Sequence, residues 1–447
     1  MNSVLLSSHE HGSTPMGLFA NLRNLLFGAP DPPSQDVTSG PREAVDPFTG
    51  EHNRVGPEVG QERLPPLRYR STLRKTPITG GVTYAFAHRN PRTGDWLDFS
   101  SDSDARWLDY YGLPHLKTPQ DLADWLEMPL GRLVWLTHRL KEGMRPQSEQ
   151  ESHYHYCWVK KRSIGDRLIE SPKPLLKDAQ RRVLRGILDR VPPHTNAHGF
   201  VAGRSILSNA RPHVGRRILL KLDLENFYPS VRFPRVAAIY RSLGFSREVG
   251  IWLARLTTSI PPHNLARSGT RLASSVAYSP YQTRHLPQGA PTSPALANLS
   301  AYSLDVRLTG LARAFDLNYT RYADDLTFSG SHRFGGALRD FIPLVGEVIN
   351  SERFRVNRRK RKIVRDSQRQ TVTGVVVNSK PNISRTDFDR LKAILYNCVK
   401  HGPSTQNHDG HENFADHLRG SIAHVRHLNR ARGDHLLEMF RRIDWDR

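Results

Sequence analysis

Cysteine is almost absent from this chain. Cys157 and Cys398 are the two in 447 residues, far apart and in no Cys-x-x-Cys pattern. That excludes a disulfide framework and a zinc finger. Long apolar runs are missing as well: none approaches the roughly 18 residues that a membrane-spanning helix needs. The segment MGLFANLRNLLFGA, from Met16 to Ala29, is amphipathic but short. A secretory signal would begin with basic residues and carry a longer apolar stretch. The segment therefore reads as a short docking or transient helix, and the chain as cytoplasmic with no membrane partner. No internal repeat is visible. Hydrophobic residues make up 37% of the chain, low for a fully globular protein, so disordered parts are expected. Acidic residues are scarce relative to basic ones, 43 against 65, leaving a formal charge of +22. Such an excess calls for a polyanionic partner, either nucleic acid or an acidic membrane face. The basic residues are interleaved with Tyr, Phe and His along the chain, which favours nucleic acid.

Residues 29 to 66 are rich in Pro, Gly and charge and cannot bury enough apolar surface to order themselves, so residues 1–66 read as a flexible arm. Residues 67–145 form an N-terminal helical extension. Its segment KTPQDLADWLEMPLGRLVWLTHRL predicts two short helices. Thr118 caps the first, Pro119 suits its first turn and Asp121 completes a capping box. Leu122, Trp125 and Leu126 share one face, while Leu130, Leu133 and Val134 face inward from the second. Both a helix-turn-helix DNA reader and a small appendage packed on a larger domain fit this pattern. From residue 153, YHYCWVKK and DRLIESP predict a hairpin around RSIGD. A helix follows over LLKDAQRRVLRGILDRV. RILLKLDLENFY reads as a short buried strand running into a polar turn, and SPALANLSAYSLDVRLTGLARAF as one long helix. LNYTRYADDLTFSG reads as strand, turn, strand, and QTVTGVVVN as one further strand. Basic helices occupy the sequence from about 385. Strands and helices interleave without a βαβ repeat, which predicts an α+β fold with an antiparallel sheet.

The pair Asp324–Asp325 sits at a predicted hairpin tip, and Asp223 ends the buried strand ILLKLD. Asp favours turns, and each feature alone describes a solvated turn. If the two ends are neighbours in one sheet, three carboxylates meet, an arrangement too repulsive to stand without cations. Hard oxygen ligands suit Mg²⁺, and two such ions about 3.5–4 Å apart serve nucleotidyl transfer.

Taken together, the residues resemble the motif series of reverse transcriptases, over roughly residues 105 to 445. LKLDLENFYPSV resembles the first palm motif, LPQGAPTSPALANL the second, and YADD the third. The resemblance implies a right-hand polymerase fold: fingers and antiparallel-sheet palm over 146–378, helical RNA-binding thumb over 379–447. It makes Asp223, Asp324 and Asp325 the catalytic metal ligands, Mg²⁺ the cofactor (two ions) and deoxynucleoside triphosphates the substrates. Tyr228 takes the place of a ring stacked under the incoming sugar, where it would collide with a 2′-hydroxyl; a core tyrosine is the other reading. Gln288 and Gly289 lie in a loop whose backbone can approach the nucleotide closely. Lys160 or Lys161, with Arg167, falls where the family grips the triphosphate. Lys360, with Lys362 as rival, takes the place of a residue that protonates pyrophosphate; the basic run VNRRKRKIV could equally bind only backbone.

NARPH, residues 209–213, fits the Asn-Ala-x-x-His pattern of retron reverse transcriptases, and VTG, residues 372–374, their other marker. His213 is expected to brace the palm rather than to act in catalysis. This narrower resemblance implies a cognate structured non-coding RNA, priming from the 2′-hydroxyl of an internal guanosine, a branched RNA–DNA product (msDNA), and anti-phage defence with a separate effector protein. Arg419, Arg426, Arg430 and Arg432 are the expected RNA contacts in the thumb; a solvated basic face on a helical bundle is the other reading. His408 and His411 complete no metal-ligand set and are assigned to a mobile loop. Two alternatives stand beside the retron reading: a group II intron-like reverse transcriptase, which would carry a maturase region, and an RNA-binding protein with a non-catalytic polymerase core. An RNA-dependent RNA polymerase fits less well, because YADD and the ring of Tyr228 suit deoxynucleotides.

Overall fold

A computed structural model describes residues 88–89, 96–97, 99–137, 145–161, 166–262, 265 and 279–445, all within one unit, Leu64–Arg447. The arm over residues 1–66, the amphipathic segment within it and most of RSIGD lie outside these residues. Ten strands are described. β1 (His88–Arg89) and β2 (Trp96–Leu97) pair as a short ribbon, and β3 (Tyr154–Lys160) and β4 (Asp166–Pro172) as a longer hairpin. The next four are β5 (Ile218–Asp223), β6 (Asn318–Tyr322), β7 (Asp325–Gly330) and β8 (Lys362–Arg365). They form one antiparallel sheet in the order β6-β7-β5-β8. β9 (Thr371–Val372) and β10 (Val375–Val376) make a last, tight hairpin. The mixture of helices with antiparallel sheets is the expected α+β class.

β5 carries apolar residues on both faces because it is an inner strand. Leu219 and Leu220 are fully buried on opposite sides of it. Each such side chain contributes roughly 1.5–3 kcal/mol. The helix Arg333–Ser351 covers the sheet with Phe341, Val345 and Val348. Phe341 meets Phe328 of β7 edge-on at 5.1 Å, and Phe328 stacks on Tyr319 of β6 at 4.8 Å.

In the N-terminal extension the two expected helices are Pro119–Trp125 and Leu130–Thr137, with the Thr118–Asp121 capping box formed. They pack on the helix Arg247–Thr257. A Cβ on Gly186 would sit 2.5 Å from the Trp125 ring, so Trp125 closes directly onto the helix Pro174–Gly186. That is the behaviour of an appendage sharing a core, not of a free reading head.

Two expectations are corrected. The long helix predicted from Ser293 is two, Ser293–Ser300 and Tyr302–Ala314. The guanidinium of Arg235 takes the Ser300 carbonyl at 2.6 Å, drawing it from the helical ladder and bending the chain at Ala301. QTVTGVVVN is not one strand but the β9–β10 hairpin. Thr373 and Gly374 both have positive φ, 46° and 85°, the conformation that a two-residue hairpin turn requires. The C-terminal segment forms the helices Arg385–His401, Phe414–Leu428 and Arg430–Arg441 around Leu395, Cys398, Ile422, Val425 and Leu436. Among the described residues no helix is long and apolar enough to cross a membrane.

Candidate active site

Tyr322 pairs with Asp325, so Ala323 and Asp324 alone make the turn between β6 and β7. Two-residue turns of this kind want a positive φ at their first residue, which glycine supplies most cheaply. Here Ala323 adopts φ 55°, a strain of roughly 1–2 kcal/mol that the surroundings must hold. Arg321 supplies much of that support. It is fully buried, pairs with Asp305 at 2.6 Å, and donates to the Ala323 carbonyl at 3.1 Å and to Asn298 Oδ1 at 3.0 Å. Tyr319 donates its hydroxyl to the same Asp305 carboxylate at 2.8 Å. Gly199 lies against the turn from outside: a Cβ there would come within 2.6 Å of the Ala323 nitrogen.

The sheet brings the three aspartates together. Asp223 is the direct cross-strand partner of Asp325, and Leu224 N donates to Asp324 O at 2.8 Å. Asp223 is 5% exposed. Its carboxylate accepts from Lys360 Nζ at 2.9 Å and from Asn357 Nδ2 at 3.3 Å. Burial, with Asp223 and Asp325 beside it, holds the Asp324 carboxyl up at about 6. Burial also raises Asp325, against the pull of Lys221. Lys360 and Lys221 offset this charge only in part, since both Asp324 and Asp325 still stand above their ordinary range. Among the described residues no three carboxylate, imidazole or thiolate groups close round a single point as a metal cage. The donor set nonetheless fits a hard divalent cation that takes its remaining oxygens from a phosphate substrate and water.

These groups open on a cleft of about 2170 Å³. Asp223, Asp324, Lys160, Lys161, Arg167, Tyr228, Gln288, Gly289 and Lys360 all line it; Asp325 does not. Burial, with the nearby Arg167 and Lys360, draws the Lys161 ammonium below its ordinary value. Tyr228 is half-buried beside Phe227, and burial with the Asp324 charge pushes its phenol up. Gly289 has φ 134°, and a Cβ on it would lie 2.9 Å from the Glu170 carbonyl. Glu170 N donates to Gln288 O at 2.9 Å. The β3–β4 hairpin is thereby tied to the loop that carries Gln288.

Several contributors were not expected from sequence. Lys177 and Arg181, one turn apart on the helix Pro174–Gly186, line the same cleft; their i, i+4 spacing was the available signal. Arg321, Asp305, Asn298 and Gly199 gave none, because their roles depend on contacts distant in sequence. Lys360, expected at pyrophosphate, holds Asp223 here. Lys362 lies in β8, opposite Lys221, and outside the cleft lining.

The two short markers touch each other. Asn209 Nδ2 reaches Thr373 Oγ1 at 3.3 Å. His213 bridges β6 and β7 through Thr320 Oγ1 at 2.8 Å and Ser329 Oγ at 2.7 Å. Burial, helped by His198 and Arg216, lowers its pKa to about 3, so it is a neutral brace. Of the four C-terminal arginines, Arg426 and Arg430 pair with Asp434, and Arg419 with Asp416. Arg432 lies over the Phe388 ring at 4.6 Å. Arg419, Arg426 and Arg430 stay exposed, and none of the four lines the cleft. His411 stacks on His417 at 4.0 Å, and Asn407 accepts from His411 N at 2.8 Å.

Residues 159–377 match the family described as reverse transcriptase (RNA-dependent DNA polymerase). The retron Mx65 reverse transcriptase of Myxococcus xanthus is 40% identical over 334 residues, 74% of this chain and 73% of that one. The retron Mx162 reverse transcriptase of the same organism is 36% identical, covering 72% of this chain and 66% of its own length. The retron Ec86 reverse transcriptase of Escherichia coli is 33% identical over 58% of this chain and 71% of its own. Among solved structures, a telomerase from Candida albicans in complex with a telomeric RNA fragment is similar at TM-score 0.35 and 12% identity. It covers 64% of this chain and 56% of that one, a likeness too distant to bear on the site. The chain belongs to the retron-type reverse transcriptases and is an RNA-directed DNA polymerase of the right-hand fold.

Proposed function

We propose that the cleft carries out deoxynucleotidyl transfer with Asp223, Asp324 and Asp325 as ligands of two Mg²⁺ ions. The observation that supports this most is the cross-strand register of Asp223 with Asp325, with Asp324 in the adjoining turn, at the floor of a cation-lined cleft. Divalent cations, when bound, lower the charge of the carboxylates, activate a primer hydroxyl and stabilise a leaving pyrophosphate. The chain's own residues do the rest. Lys161 and Arg167 hold the triphosphate, and the backbone at Gln288 and Gly289 positions the nucleotide. Tyr228 excludes a 2′-hydroxyl by its ring. Lys360, which neutralises Asp223 at 2.9 Å, is free to turn to phosphate once other cations take that carboxylate.

On this reading β3–β4 and the sheet are fingers and palm over residues 146–378, and the helices from 379 are a thumb. The residues before 146 are an N-terminal extension with a flexible arm over 1–66. Arg419, Arg426, Arg430 and Arg432 contact a cognate structured RNA through shape and backbone. The product is branched msDNA, primed from an RNA 2′-hydroxyl, and the system serves anti-phage defence with a separate effector. A charge of +22 makes RNA binding steeply salt-dependent. The test is to express the gene with its native flanking DNA, extract small nucleic acids, and treat them with ribonuclease and a debranching enzyme. A discrete single-stranded DNA that shortens on debranching supports the reading. Primer extension by the purified protein without any such DNA removes the msDNA role and leaves an RNA-directed DNA polymerase with another product.

A further inference from the structure

Phe200 is an anomaly in this fold. Its side chain is 56% exposed, yet its backbone has φ 60°, a conformation that bulky residues rarely take. Neither core packing nor turn chemistry asks for phenylalanine there. The segment that carries it is fixed to Arg321 of β6, just before the Ala323–Asp324 turn, and to the helix Ser293–Ser300. Arg321 N donates to Asn196 O, and His198 N to Arg321 O, each at 2.7 Å. Asn298 Nδ2 holds the Gly199 carbonyl at 2.9 Å. Residues 196–198 thus run beside the outer edge of β6 and end in a clamped glycine. The next side chain is delivered to the rim of the cleft, its ring 6.3 Å from that of Tyr322.

The cleft is chemically lopsided across the end of the sheet. On the side of β8, beyond Asp223, Arg355, Arg358, Arg359 and Lys360 line it. On the side of β6 the rim residue is this aromatic ring. Phosphates belong with the cations, and base faces with the ring. The loop at Gln288–Gly289 leads into the helix Ser293–Ser300, whose Asn298 holds the Gly199 carbonyl, so one helix links the segment of Phe200 to the nucleotide loop. Phe200 and the triphosphate-side cations Lys161 and Arg167 line the same cleft, so a base paired with the incoming nucleotide can reach the ring.

The geometry points to Phe200 as a stacking platform for an unpaired nucleobase of the template strand at the polymerising site. This rests on the reading of the cleft as that site. The ring touches the template but not the reacting atoms, so Phe200 is a positioning residue. Its strained φ and its exposure are what a platform held out from the core has in common with other strained functional positions.

The experiment uses full-length protein on an RNA template with an annealed DNA primer. Phe200→Ala should raise the KM for template–primer about 5- to 150-fold, the range for losing one base–aromatic stack, with kcat much less affected. Phe200→Trp should restore KM and Phe200→Leu should not. A 2-aminopurine at the first unpaired template position should brighten in the Phe200→Ala complex relative to the parent, while one at the primer terminus should not change. An unchanged KM in Phe200→Ala, full rescue by leucine, or a response from the primer probe alone would overturn the proposal. Asp324→Asn run in parallel separates the two levels: if it keeps full activity, the cleft reading itself is wrong, whatever Phe200 does.

Discussion

Replacing Asp305 by asparagine tests how the strained turn is held. The Arg321–Asp305 pair is fully buried, with one contact at 2.6 Å and another at 2.8 Å. The amide would keep the shape of the side chain but remove the carboxylate that Arg321 pairs with. A guanidinium cannot give up its proton, so it would stand as an uncompensated buried charge. Breaking such a pair from one side costs about 3–5 kcal/mol, a large share of a typical stability of roughly 5–15 kcal/mol. Chemical denaturation followed by near-ultraviolet circular dichroism should show that loss. Activity should fall at temperatures where the variant is still folded, because Arg321 also holds the Ala323 carbonyl. The double variant Asp305→Leu, Arg321→Met should recover much of the stability, since apolar replacement of a whole buried pair is often neutral. It should not recover activity. A loss under about 1 kcal/mol for Asp305→Asn, against the roughly 3–5 expected, would refute the reasoning, as would a fully active double variant.

Three other outcomes follow from the geometry. His213 has its pKa lowered to about 3, so between about 6.5 and 3 the unfolded chain takes up a proton that the folded one refuses. Stability should fall with acidity across that window by up to about 1.4 kcal/mol per pH unit, and flattening of that slope in His213→Gln, read from denaturation at stepped pH, is the check. Gly289→Ala should raise the KM for deoxynucleotides more than it lowers kcat, because its Cβ would press on Glu170 O, 2.9 Å away; an unaltered KM would count against the docking of hairpin and loop. Tyr228→Ala should admit ribonucleotides in primer extension, and unchanged selectivity would remove the ring from its proposed role.

The elements that carry the carboxylates were legible because they are local. The apolar run in ILLKLD announces an inner strand, and the alternation on either side of ADD a hairpin. That both ends meet is a matter of register, which sequence alone leaves as a conditional. What was missed is held at long range. Arg321 and Asp305 look like ordinary charged residues of a strand and a helix, and their pairing appears only when the two are packed. The break at Ala301 comes from Arg235, 65 residues before the carbonyl it takes. VTG looked like the middle of a strand because β-branched residues mask a turn whose signal is a single glycine. Lys360 was read by position in a basic run, which says nothing of the carboxylate it reaches.

The most direct test of the central claim is primer extension on an RNA template by purified protein with Mg²⁺ and deoxynucleotides, comparing the parent with Asp223→Asn, Asp324→Asn and Asp325→Asn. The account predicts that each variant folds, binds template–primer at least as well as the parent, and extends no primer above background. Extension near the parental rate by any folded single variant would contradict it.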